Sequence, residues 1–147
     1  MAITLPTEYG WVLLAATSTF FVNTFHGILT GKYRKASGVK YPAAYAANEV
    51  AEKDPKAFTF NCAQRAHANY TENLTPALLA LFVAGLRHPL IAASVFTSWS
   101  VARIGYARGY TAYGPSGRSK FSIFASLVDL SLKLLAIYGT VQFVLEK

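Results

Sequence analysis

From Tyr9 to Thr30 the chain reads YGWVLLAATSTFFVNTFHGILT, with no Lys, Arg, Asp or Glu. An α-helix needs roughly 20 such residues to cross the hydrocarbon core of a bilayer, so this run can span a membrane alone. The run from Phe121 to Leu145 is as long and is interrupted only by Asp129 and Lys133. Two further apolar runs, Leu74 to Leu86 and Pro89 to Ala102, reach that length only if their polar flanks, Phe60 to Asn73 and Arg103 to Tyr110, are helical too. The pattern predicts an all-α bundle of four transmembrane helices, an integral membrane protein with a single domain over residues 1–147. Composition agrees: 53% of residues are hydrophobic and 14% charged, against about 25% charged in soluble domains, and the mean hydropathy is +0.29. The first run is expected to remain as a span, because the only charge before it is Glu8, whereas a secretory signal opens on a basic region.

The net charge of +7 is concentrated in two connections. Lys32, Arg34, Lys35, Lys40, Lys53 and Lys56 outnumber Glu49, Glu52 and Asp54 in the first, and Arg103, Arg108, Arg118 and Lys120 stand without an acid in the third. Basic connections stay cytosolic, so both are expected on the cytosolic side with the two termini opposite. No basic patch is interleaved with aromatics, so nucleic acid is not an expected partner. The lone cysteine, Cys62, excludes an intrachain disulfide and a Cys-based zinc cluster, and is expected to be a small buried residue. The sequons at Asn69 and Asn73 fall at the cytosolic end of a membrane helix, where glycosylation does not occur. One long loop is expected, from Lys35 to Ala57.

Polar residues crowd the start of the second helical stretch, FNCAQRAHANYTENLTP. At 3.6 residues per turn Arg65, Asn69, Glu72 and Pro76 share one face, with Asn61 a turn earlier and Ala63, Ala66 and Ala68 among their neighbours. Small neighbours permit close helix approach, and Pro76 removes a backbone hydrogen bond, which predicts a kink that opens space beside the stripe. Arg103, Tyr106 and Tyr110 form a second stripe at the end of the third span, flanked by Gly105 and Gly109, and Tyr113, Arg118 and Lys120 follow. Polar groups at membrane depth are costly and mark function by default. Two cations, a carboxylate and phenolic hydroxyls suit a zwitterion carrying several carboxylates and an ammonium group. The alternative is that Arg65 and Glu72 only neutralise one another and the tyrosines form an interfacial belt. Asp129 and Lys133 are expected to pair within the fourth span. Asn23 and His26 are expected to form interhelical hydrogen bonds.

NCAQRAHAN followed by an apolar helix, then ARIGYARGY and GPSGRSK, resembles the MAPEG family of membrane-associated glutathione and eicosanoid proteins. KYRKASGVKYPAAYA, NCAQRAH and RHPLIA look like its type-3 microsomal glutathione S-transferase branch. The resemblance runs from Glu8 to about Leu145. It implies a homotrimer that binds glutathione as co-substrate between neighbouring subunits on the cytosolic side, with no metal. By position Arg34, Arg65, Asn69, Glu72, Tyr106 and Tyr110 match glutathione contacts in leukotriene-C synthases, and His67 follows the type-3 pattern. Arg103 joins this set as a cation of the second stripe. Arg118 matches the arginine that stabilises the glutathione thiolate, once one extra residue is allowed after Tyr110. The family pattern places Pro three residues after Glu with an aromatic between them; here ENLTP is one longer and Asn73 stands in the aromatic's place.

The implied chemistry is thiolate attack on a lipophilic electrophile or lipid hydroperoxide entering from membrane lipid. The endoplasmic reticulum is the expected location, with the outer mitochondrial membrane the alternative. Three rivals remain: a non-catalytic lipid-binding scaffold of the same fold, a structural membrane protein without a ligand, and a small multidrug exporter. The exporter would need a carboxylate in the first span, which has none.

Overall fold

A computed structural model describes residues 4–146, apart from the Lys120 side chain. All of its regular structure is helical: α1 Tyr9–Ser37, α2 Asn48–Ala51, α3 Pro55–Gly85, α4 Pro89–Gly117 and α5 Ser119–Leu145. Two boundaries have a clear local cause. Gly38 takes a left-handed conformation (φ 71°) and returns its N–H to the Arg34 carbonyl, which ends α1. Asp54 accepts a 2.8 Å hydrogen bond from the Lys56 N–H and Pro55 occupies the first turn, so α3 starts there. These two caps correct the expected loop from Lys35 to Ala57. Its ends belong to α1 and α3, and α2 folds inside it.

At about 1.5 Å per residue the 31 residues of α3 extend about 46 Å. A bilayer core is about 30 Å thick, so α3 is longer than such a core is deep. The helix runs through Pro76 as one element. Within the bundle α3 and α4 each pack against all the other long helices, whereas α1 and α5 do not meet. α2 packs on α3 alone.

The interior is built largely of small residues: Ala63, Ala66, Ala77, Ala80, Ala84, Ala92 and Ala107 are buried. Large apolar side chains instead cover the outside of every long helix, among them Phe21, Leu79, Val101 and Leu127. Water would penalise that arrangement, while lipid favours it, because close helix packing and not hydrophobic exclusion holds such bundles together. α1 and the Phe121–Leu145 stretch of α5 are long and apolar enough to cross a membrane by themselves.

Polar side chains stitch α1 to its neighbours. The Tyr9 hydroxyl donates to the Phe82 carbonyl at 3.2 Å, the Tyr70 hydroxyl to the Thr19 carbonyl at 3.3 Å, and Ser18 to Ser100 at 3.3 Å. Asn23 forms the expected interhelical contact, with its amide oxygen 3.3 Å from His67 Nε2. His26 differs. It is buried with no hydrogen-bond partner for either ring nitrogen, and it stacks instead on Tyr70 at 4.8 Å and 8° between planes. Its face of α1 meets the aromatic ring of Tyr70 and lies near His67, both on α3, which helical spacing alone did not reveal. Lys133 and Asp129 pair within α5 as expected, and an Arg87–Glu146 ion pair ties the α3–α4 connection to the end of α5.

Candidate functional site

Arg65 and Glu72 lie on one face of α3, and the guanidinium donates to the carboxylate at 2.8 Å. Their side chains are 44% and 53% exposed. An exposed ion pair is worth only about 0–1 kcal/mol, so a ligand carboxylate or ammonium can replace either partner at small cost. Asn69, between them, accepts a 2.8 Å hydrogen bond from Arg103 on α4. Arg103 is buried, with its guanidinium over the Trp99 ring at 4.9 Å. The two polar stripes therefore meet across α3 and α4. Asn69 and Arg103 form the strut between them, through this one hydrogen bond.

Tyr106 is buried one turn beyond Arg103, edge-on to Tyr110 with ring centroids 5.8 Å apart. Arg118 reaches both: it donates to the Tyr106 hydroxyl at 3.2 Å and its guanidinium lies 5.1 Å from the Tyr110 ring centre. That hydrogen bond, reinforced by the nearby phenols, raises the Arg118 pKa further, so the group is a cation at every working pH. A sharp reversal of the chain brings it there. Gly114 adopts φ 64° and ψ −153°, a conformation open to glycine and strained for other residues, and breaks the helical path of α4 before Pro115. The chain then returns until Gly117 touches Gly109 backbone to backbone.

Beside these residues lies a cavity of about 360 Å³, lined in part by Cys62 and Arg65 of α3 and Tyr110 and Pro115 of α4. Its other wall comes from the first connection, through Tyr45, Asn48 and Glu52. Connections one and three, the two basic ones, therefore gather at the same end of the bundle. Cys62 is buried as expected, and it also borders this space.

Two expected site residues lie elsewhere within the chain. Arg34 donates to the carbonyls of Ala43 at 2.8 Å and Val39 at 3.4 Å, and its guanidinium lies over the Tyr41 and Phe60 rings at 4.3 and 4.5 Å. It holds the first connection in place. His67 points to α1, beside Asn23 and His26. The Asn73 amide, in the place of the family's aromatic, bonds back to the Asn69 carbonyl at 2.8 Å. Tyr45, Asn48 and Glu52 stand at i, i+3 and i+7, a helical spacing in a stretch expected as loop; the fold of the connection brings them to the cavity.

The architecture and the lipid-suited exterior define a helical membrane protein with a charged, hydroxyl-lined pocket at one end. More specifically, the chain belongs to the MAPEG family, whose family model matches residues 12–138. That family includes glutathione transferases together with other membrane-associated proteins.

Proposed function

We propose that the protein is a membrane-bound glutathione transferase with accompanying glutathione peroxidase activity, of the type-3 microsomal branch. In this reading all four long helices span the bilayer as one domain, and three copies assemble with both basic connections in the cytosol, at the endoplasmic reticulum. Support comes from the large apolar side chains that α3 and α4 also expose, among them Leu79, Phe82, Leu90, Ile91 and Val101. The donor set also fits the co-substrate. Arg65 suits a carboxylate, Glu72 or Glu52 an ammonium, and the cavity lies within the range of about 300–1,000 Å³ common for small ligands.

One observation carries the catalytic reading: the Arg118 guanidinium is held on the Tyr106 hydroxyl and beside the ring of Tyr110, a residue that lines the cavity. Glutathione supplies a thiol that is only a few per cent ionised at neutral pH with a pKa of about 8.5. Arg118 places a permanent cation at that end of the site. Its hydrogen bond polarises the Tyr106 hydroxyl, so the phenol proton becomes a stronger donor toward a developing thiolate. Each unit of thiol pKa lowered requires about 1.4 kcal/mol of preferential stabilisation of the anion. Arg65 and Glu72 orient the peptide, and the surrounding bilayer concentrates the lipophilic second substrate.

Detergent-purified protein should conjugate a lipophilic electrophile and reduce a lipid hydroperoxide only when glutathione is present. Binding of glutathione without either turnover would support the scaffold reading instead. Arg65→Ala removes the cavity's guanidinium and leaves a ligand carboxylate unpaired. Breaking such a pair costs about 2–5 kcal/mol when it is buried, and the half-exposed site here brings the expectation to the lower end, about a tenfold loss of affinity. Calorimetry on a folded Arg65→Ala assembly that showed undiminished binding would remove α3's stripe from the site.

A further inference from the structure

The first connection is folded onto the site and not merely strung between helices. Ala46, Ala51, Ala57 and Phe60 form a small buried cluster beneath it, with Tyr33 and Val39 packed alongside. Arg34 fixes its first half through the Ala43 and Val39 carbonyls. Asn61 of α3 fixes its second half at two points: its amide oxygen accepts from the Ala46 N–H at 2.8 Å, and its amide nitrogen donates to the Ala46 carbonyl at 3.0 Å. An amide that closes both backbone groups of one residue holds that residue in position and orientation, as a strand partner would. Next to Ala46 stands Tyr45, and Asn48, Ala51 and Glu52 follow, all of which line the cavity opposite Cys62, Arg65 and Tyr110.

We infer that Asn61 is a positioning residue that seats the first connection as the outer wall of the ligand cavity, and that Glu52 on this wall takes the ammonium group of a zwitterionic peptide. The inference rests on the glutathione reading above and assigns part of its binding to residues outside the α3 and α4 stripes. The charge pattern supports Glu52. Glu72 already has the Arg65 guanidinium, whereas among the described residues Glu52 has no ion-pair partner and borders the same cavity as Arg65. One cavity thus offers a guanidinium and a carboxylate, the complement of a carboxylate and an ammonium on one ligand.

The test uses the full-length protein in detergent, with calorimetric binding of glutathione and of its analogue lacking the α-amino group, steady-state rates, and hydrogen exchange at the Ala46 amide. Asn61→Ala should speed exchange at Ala46 and raise the glutathione KM by about tenfold, while the saturated rate changes by less than about threefold, since neither hydrogen bond touches the reacting sulfur. Asn61→Asp keeps the acceptor for the Ala46 N–H and loses the donor, so it should fall between wild type and Asn61→Ala; it carries the test if the alanine variant does not fold. Glu52→Gln should weaken glutathione by about three- to fivefold, a modest loss because the residue is exposed, and leave the deaminated analogue unaffected. Faster Ala46 exchange with unchanged glutathione affinity would overturn the proposal and leave the functional reading intact. So would unchanged exchange in Asn61→Ala, or equal losses for both peptides in Glu52→Gln. Absence of glutathione binding by the wild type would instead overturn the functional reading, and this proposal with it.

Discussion

Arg118→Ala should lower turnover by about 10²–10³, comparable to the loss of one preorganised electrostatic donor, while glutathione affinity changes by less than about threefold. The asymmetry follows from position. Arg118 touches Tyr106 and Tyr110 and contributes nothing to the lining shared by Arg65 and Glu52, which is where the peptide's charges are expected. The ultraviolet absorbance of bound thiolate near neutral pH should fall in parallel with the rate. Arg118→Lys should restore part of both, because a point charge suffices where no forked geometry is required. Tyr106→Phe removes the hydroxyl that holds the guanidinium and should give a smaller loss in the same direction. Full turnover in Arg118→Ala with an undiminished thiolate signal would exclude this role. Arg103 could not easily replace it, since it is buried between Trp99 and Asn69.

Much of this arrangement could be read from spacing. The helical period placed Arg65 with Glu72, and Arg103 with Tyr106 and Tyr110, because both stripes lie inside continuous helices where 3.6 residues per turn holds. The Asp129–Lys133 pair was legible for the same reason. Contacts between elements were not. Nothing in the spacing said that Asn69 would bond to Arg103, which binds the two stripes through their own members and leaves fewer groups free than a count of polar residues suggests. His26 was misread because a polar ring can be buried by stacking as well as by hydrogen bonding. The first connection was opaque for a different reason. Its conformation depends on Arg34 and Asn61 reaching in from α1 and α3, so the i, i+3, i+7 spacing of Tyr45, Asn48 and Glu52 did not by itself say which way they would face. The glutathione role of Arg34 came from family resemblance; within the chain its guanidinium is occupied by carbonyls and aromatic rings.

The glycines at the end of α4 allow a test in which every chemical group of the site is retained. Gly109 and Gly117 touch through their backbones, so that a Cβ on Gly109 would overlap the Gly117 carbonyl oxygen and stand 3.0 Å from its carbon. Neither atom belongs to a flexible side chain, so relief requires the returning segment to move. Arg118 is the next residue along. Gly109→Ala should therefore pull the guanidinium off the Tyr106 hydroxyl and lower turnover by about 10–10²-fold, since misplacement by about 1 Å is enough for losses of that order. It should also cost about 1–3 kcal/mol of stability, as overpacking does elsewhere. Gly105→Ala provides a graded comparison. Its Cβ would meet the Phe121 ring, which is a side chain able to shift, so its loss of turnover should be smaller. Gly31→Ala is the matched control, because a Cβ there meets nothing within 4 Å, and replacing a helix-interior glycine should instead add about 0.5–1 kcal/mol. The decisive readout is the thiolate absorbance in Gly109→Ala. If it falls with the rate while glutathione affinity persists, the turn's function is to place Arg118. If turnover and thiolate signal both survive in a protein whose melting temperature has dropped, the glycine contact serves packing alone, and Arg118 is held in place by Tyr106 and Tyr110 without it.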